Sequence, residues 1–388
     1  MTHPYDDLDL AELRRRRSVK WTKFGPDVLP LFVAEMDFPL AEPIRRVLHE
    51  LIDRGDTGYP VGTAHEEAFR RFAERRYGWR PDTAAVVTVP DVMTGVEFAI
   101  GQLTQPGDPV AFFIPAYPPF FVAVESTRRA VAGVPLARDA EVGATIDGDA
   151  LATTLREGAK AILLCNPHNP TGRVFTRDEL TTVASLADRY GVPVISDEIH
   201  APLVLDRAAT PHIPFATLDA EAAARGVCLH SASKGWNVPG LKAAVLITGS
   251  SDVRKSFDTA ALDELSERAG IAGVVAGAAA FDEGEPWLDD TVVYIEANHR
   301  LVHEAVPTAL PGARVTRAEA TYLAWLDLRG VEALDDGEPA DSLLDRAGVA
   351  LVPGPSFGAR YGGWARMNVA TSAPIIREAI ARMAAAVR

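Results

Sequence analysis

Cysteine is the rarest residue in this chain: Cys165 and Cys228 are the two thiols among 388 residues. Two cannot build a disulfide framework, and each lies in an apolar run, so both read as buried, reduced core thiols. No metal site is expected. Long hydrophobic runs are also missing, and none approaches the roughly 20 residues of a membrane span. The opening stretch MTHPYDDLDL holds no apolar core of a secretory signal, so a cytoplasmic location is expected. Positive charge is in deficit, with 39 Lys and Arg against 53 Asp and Glu and a formal net charge of -14. That balance disfavours polyanionic partners, so neither nucleic acid nor a membrane surface is expected to bind. The one basic run, Arg14 to Arg17, reads as a solvated helix face. Low-complexity tracts and internal repeats are absent as well.

Lysine is scarce too: six lysines stand against 33 arginines. Two of the six fall in HSASKGWNVPGLK, residues 230–242, as Lys234 and Lys242. Arginine stays protonated, whereas a desolvated lysine can lose its proton and become a nucleophile. The contrast makes Lys234 worth following.

What is present is ordinary for a soluble globular protein, with 47% hydrophobic and 24% charged residues. A chain of this length suggests one large domain and a smaller one. From residue 84 onward short apolar runs alternate with helical patterns. AAVVTVP (84–90), PVAFFIPAY (109–117), KAILLCNP (160–167), VPVISDEI (192–199), GVCLHSAS (226–233) and AAVLITG (243–249) read as strands. They are apolar nearly throughout, which predicts strands covered on both faces in a mostly parallel sheet sandwiched by helices. After residue 280 the texture becomes α+β, with TYLAWLDL, GVALVPG and ARMNVA between two helical patterns. The expected division is a large α/β domain over 50–278 and a small α+β domain from 1–49 and 279–388.

Ligands of such sheets bind beyond the carboxyl ends of the strands. Tyr117, Asn169, Asp197 and Lys234 all lie at strand ends. Taken singly, each has a plain reading: a core tyrosine, a turn-rich loop, a helix cap, a solvated lysine. Together with their order and spacing, NPHNPTG, SDEIH and SASK resemble the fold-type I pyridoxal-phosphate enzymes of the class I/II aminotransferase superfamily. The resemblance runs from AEMDFP (34–39) to RMNVA (366–370). SVKW, AEMDFP, PAYPPF, SDEIHAPLVL, TPHIPFA and GVALVPGPSFG are most similar to the cystathionine β-lyase-type C–S lyases.

The resemblance implies a large domain with a mostly parallel seven-stranded sheet plus a smaller α+β domain, and pyridoxal 5'-phosphate as cofactor. It makes Lys234 the Schiff-base lysine and general base, and Asp197 the carboxylate that keeps the pyridine nitrogen protonated. Asn169 would donate to the cofactor's phenolic oxygen, and Tyr117 would stack on its ring. Thr94, Gly95 and Val96 would present free N–H groups to the phosphate at a helix start. Ser231, with Ser233 as the weaker candidate, and Lys242 would join them. Tyr59 would reach the phosphate of a neighbouring subunit, which implies a homodimer with a shared site. Arg366 would grip the substrate's α-carboxylate as a planar bidentate donor. His200 stands where many aminotransferases have tyrosine; it can donate a hydrogen bond but ordinarily titrates near neutrality.

The activity implied is β-elimination from cystathionine or a cysteine S-conjugate, giving thiol, pyruvate and ammonia. Amino transfer to a 2-oxo acid would use the same residues. A regulatory or binding protein that keeps the fold is a third reading, opposed by the intact lysine, aspartate and arginine.

Overall fold

The computed structural model describes residues 3–138, 143–206, 209–334 and 337–388. Seven strands form the central sheet: β1 (Val86–Val89), β2 (Pro109–Ile114), β3 (Ala130–Pro135), β4 (Ala161–Cys165), β5 (Val194–Asp197), β6 (Val227–His230) and β7 (Ala244–Thr248). Their spatial order is β1-β7-β6-β5-β4-β2-β3. All neighbours run parallel except β7, which is antiparallel to both β1 and β6. Every residue of β4, β5, β6 and β7 is buried. Cover on both faces explains why these runs show no polar alternation.

One feature of the sheet differs from the sequence reading. Strand β3 was not expected, because only Val134 of its six residues is buried. An edge strand has a neighbour on one side only and carries a weak hydrophobic pattern. Strand β7 alone runs antiparallel to its neighbours, which agrees with the expected mostly parallel sheet.

Helices fill the connections. Helix α1 (Val92–Leu103) follows β1, and α2 (Pro118–Ser126) follows β2. Helix α3 (Arg177–Tyr190) starts at a reciprocal cap, in which Thr176 Oγ1 accepts from Glu179 N–H and the Glu179 carboxylate accepts from Thr176 N–H. It stops at Gly191, where φ of +66° suits a residue without a Cβ. The one-turn helix α4 (Ala232–Gly235) carries Lys234, and α5 (Ile271–Glu283), α6 (Glu285–Ala309) and α7 (Ala373–Ala386) complete the set used below.

A second, antiparallel sheet comprises β8 (Arg314–Val315), β9 (Leu323–Asp327), β10 (Val352–Pro353) and β11 (Trp364–Asn368), in the order β10-β11-β9-β8. Leu29–Pro30 pairs in parallel with Val349–Ala350, which ties the N-terminal segment to this part of the chain. Among the described residues no helix is long and apolar enough to cross a membrane.

Candidate active site

The carboxyl ends of β4 and β5, the start of α1 and the turn of α4 meet around a cavity of about 390 Å³. Lys234, Asp197, Asn169, Tyr117, His200, Ser233, Lys242 and Thr94 all line it. Residues up to 148 positions apart in sequence (Lys242 and Thr94) are thus gathered by the sheet topology.

The electrostatics follow from burial. Lys234 Nζ donates to the Ala34 carbonyl at 2.9 Å. Burial, then the positive charge of Arg366, pull its pKa down to about 8, while Glu35 and Asp197 oppose them. An amine with that pKa reaches its neutral, nucleophilic form close to physiological pH. Asp197, 3% exposed, accepts one backbone N–H, from Ile199 at 3.1 Å. Burial pushes its pKa up to about 7. A buried carboxylate so thinly satisfied calls for a cationic hydrogen-bond donor.

Asn169 Oδ1 accepts from Arg366 Nη1 at 2.9 Å, which leaves its NH₂ group as the donor available to the cavity. Arg366 is buried on β11, joins the site through that bond, and is held down to about 10 by desolvation, still positive at neutral pH. His200 is buried, with Nδ1 lacking a partner. Desolvation, reinforced by Lys234 and Arg366, lowers its pKa to about 3. The near-neutral titration expected from the residue type is therefore corrected: this histidine is a neutral imidazole at physiological pH.

The phosphate-type cradle also differs from the sequence reading. Thr94 N–H is capped by Asp91 Oδ1 at 2.8 Å, and Gly95 N–H donates to the Asp91 carbonyl at 3.0 Å. Val96 sits deeper in the helix and is wholly buried. The N–H groups left without an intrahelical acceptor are those of Val92 and Met93, two residues earlier than expected, and both residues line the cavity. Gly95 serves packing, since a Cβ there would lie 2.3 Å from Leu229 Cδ2. Ser231 Oγ caps α4 and donates to the Ala243 carbonyl at 2.7 Å, whereas Ser233 lines the cavity, reversing the expected ranking. Lys242 Nζ pairs with Asp91 Oδ2 at 2.9 Å at the mouth of α1. Tyr59 is 86% exposed and lies away from this cavity, beside α5.

Sequence reasoning missed Asp91, although aspartate before a helical run is a recognisable cap signal. The resemblance places backbone groups of AEMDFP (34–39) over the substrate's carboxylate but does not indicate that the Ala34 carbonyl receives Lys234 Nζ, because a carbonyl leaves no side-chain signature. A third omission lies just beyond the end of β5. Glu198 is fully buried and accepts from His212 Nε2 at 2.9 Å, Ser196 Oγ at 2.9 Å and Phe215 N–H at 2.8 Å. His230 Nε2 lies 2.9 Å away as well. Burial opposes ionisation of Glu198, but the two histidines outweigh it and hold the carboxyl well below the usual range.

A phosphate-bearing pyridine fits this donor set. Asp197 would meet a protonated ring nitrogen, Lys234 an aldehyde, and the open end of α1 a phosphate. Residues 26–383 match the family model described as aminotransferase class I and II. A provisionally named cystathionine beta-lyase of Mycobacterium leprae is 42% identical, over 98% of both chains. Cystathionine beta-lyase of Corynebacterium glutamicum is 33% identical, with 97% of this chain and 98% of that protein covered. The crystal structure of the PLP-bound C-S lyase from Staphylococcus hominis superimposes with a TM-score of 0.89 at 26% identity, covering 99% of both chains.

Proposed function

The chain belongs to the aminotransferase class I and II family, whose cofactor is pyridoxal 5'-phosphate, and from that premise we propose that it is a carbon–sulfur β-lyase. Cystathionine or a related cysteine S-conjugate is the substrate in this reading, and thiol, pyruvate and ammonia are the products. The convergence of a depressed-pKa lysine, a buried carboxylate and an open helix start in one cavity carries the cofactor chemistry that elimination and amino transfer would share. Full-length similarity to proteins named as cystathionine beta-lyases supports elimination over amino transfer.

Bound in the cavity, the cofactor would supply an electron sink for the pair released when the substrate loses its Cα proton. The chain's residues do the rest. Lys234 would hold the cofactor through Nζ and, with its amine free, would take the substrate's Cα proton there as general base. Asp197 holds a proton on the ring nitrogen. Asn169 would donate to the ring oxygen, Tyr117 would cover one ring face, and neutral His200 would add a further donor. Val92 and Met93 N–H, with Thr94, Ser233 and Lys242, would hold the phosphate. Arg366 orients the α-carboxylate. Departure of the Cβ thiolate then balances the proton loss, and water converts the remainder to pyruvate and ammonia.

Incubating the purified protein with cystathionine, with and without 2-oxoglutarate, tests this. Free thiol and pyruvate are expected without any acceptor; glutamate formed only with acceptor present would replace the lyase by an aminotransferase.

We further propose a homodimer in which Tyr59 of each copy completes the other's phosphate site. The outward position of Tyr59 and of neighbouring Val61, 91% exposed, supports it. Light scattering is expected to give twice the chain mass, and Tyr59→Ala to weaken cofactor retention; a monomeric holoenzyme would refute the shared site. The division into residues 50–278 and 1–49 with 279–388 is likewise our proposal, supported by the two separate sheets.

A further inference from the structure

Six consecutive backbone carbonyls, from Phe32 to Asp37, each accept a hydrogen bond from a side chain. Phe32 O takes Arg366 Nη2 at 3.1 Å, and Ala34 O takes Lys234 Nζ at 2.9 Å. Both donors are the working residues of the proposed reaction. Val33 O and Glu35 O share Asn368 Nδ2, at 2.7 and 2.6 Å, two residues beyond Arg366. Met36 is bracketed by Asn237, which accepts its N–H at 2.8 Å and donates to its carbonyl at 2.9 Å, three residues beyond Lys234. The strap therefore touches the lysine turn on one side and the arginine strand on the other.

Its far end is anchored differently. Lys20 Nζ, 1% exposed, pairs with Asp37 Oδ2 at 2.8 Å and also donates to Glu35 O at 3.0 Å. Asp37, also 1% exposed, accepts from Trp21 Nε1 through its other oxygen at 3.0 Å, and its carbonyl takes Arg16 Nη2 at 2.7 Å. Burying both charges carries a desolvation penalty that the pair's own attraction only offsets with good geometry, so such a pair is a poor device for stability alone. It is a good device for register, because neither charge can move without the other. Lys20 lies on a separate short helix and touches neither the cavity nor Lys234, so it acts at one remove.

We infer that the buried Lys20–Asp37 ion pair is a positioning device for the active site, setting the Phe32–Asp37 strap so that Ala34 and Phe32 carbonyls aim Lys234 and Arg366. Lys20 and Asp37 are positioning residues here. The free Lys234 amine donates an N–H to Ala34, which directs its one lone pair away from the strap. Loss of the clamp lets the strap drift, and small misplacements of a reacting group have large kinetic effects. The inference rests on the proposed role of Lys234, but its first readout does not.

The experiment uses the full chain carrying Lys20→Met together with Asp37→Leu, which removes the pair and leaves no orphaned charge. Asp37→Asn alone, which keeps the shape but leaves the buried Lys20 charge without its partner, is the harsher companion. In the cofactor-free protein, amide hydrogen exchange across residues 32–37 is expected to rise about tenfold or more in the double variant, with the central strands unchanged. Formation of the visible Schiff-base band from added pyridoxal 5'-phosphate is expected to slow by about ten- to a hundredfold. For thiol release, kcat is expected to fall and KM to rise, with changes of the same sign and at least as large in Asp37→Asn, where Lys20 stays buried and charged. Folded variants with unaltered strap exchange and band formation would overturn the inference. So would general unfolding of both variants, which would make the pair a stability element. Strap loosening and slower band formation without any thiol release in the parent protein would leave the inference standing and remove the lyase reading.

Discussion

Arg366 is the residue whose chemistry depends most on its neighbours. Its guanidinium holds Asn169 and the Phe32 carbonyl, and Nε has no partner. Arg366→Ala is therefore expected to raise KM for the amino acid by on the order of a hundredfold, about 2–4 kcal/mol, because a charge-assisted, desolvated contact is lost. The visible cofactor band is expected to remain. Steady-state kinetics with an absorption spectrum checks both, and loss of the band would mean that Arg366 serves the cofactor instead. The strand-end residues Lys234 and Asp197 were legible in the sequence because their types carry chemistry at a recognisable place. Their pKa values were not, since both depend on burial, and that of Lys234 also on Arg366, which lies 132 positions away.

Among the elements, α1 and the turn before it do most to build the cavity. Gly95 lets α1 sit against β6, the strand that leads to Lys234, with no room for a Cβ beside Leu229. Gly95→Ala is expected to cost about 1–3 kcal/mol through overpacking, read as a lowered urea midpoint. It is also expected to loosen cofactor binding, since Val92 and Met93 move with the helix. An unchanged midpoint would mean that Leu229 repacks freely. The buried strands and the capped helix α3 were readable from apolar runs and from the TRDEL…YG pattern. Edge strand β3 was not, because exposure erases the pattern that burial imposes. The free N–H groups at α1 were misplaced by two residues because a cap position depends on where Asp91 turns its side chain.

For the molecule as a whole, acid stability is the property that integrates these burials. His65 and His299 are held near pKa 4, and His168 and His200 near 3, chiefly by desolvation. Each is depressed below its ordinary 6.5, so its contribution to stability is present above that value and is lost as pH falls through the folded pKa. Glu198, also depressed, adds a loss at still lower pH. Asp197 is raised and runs the other way, with its stabilisation present at low pH and lost as pH rises through about 7. Four histidines against one aspartate make the net sign clear. The urea midpoint is expected to fall between about pH 6.5 and pH 4, and a flat profile would show those histidines to be solvated.

The sequence by itself determined the buried parallel sheet, the family resemblance and the set of chemical groups, because apolar runs, turn signals and residue types are local properties. Only the tertiary structure decided which carbonyls receive the Lys234 amine, which helix N–H groups are open, and how Lys20 and Asp37 reach the site. Those depend on backbone groups and on contacts between distant segments. A backbone carbonyl looks the same at every residue until the fold places a donor beside it.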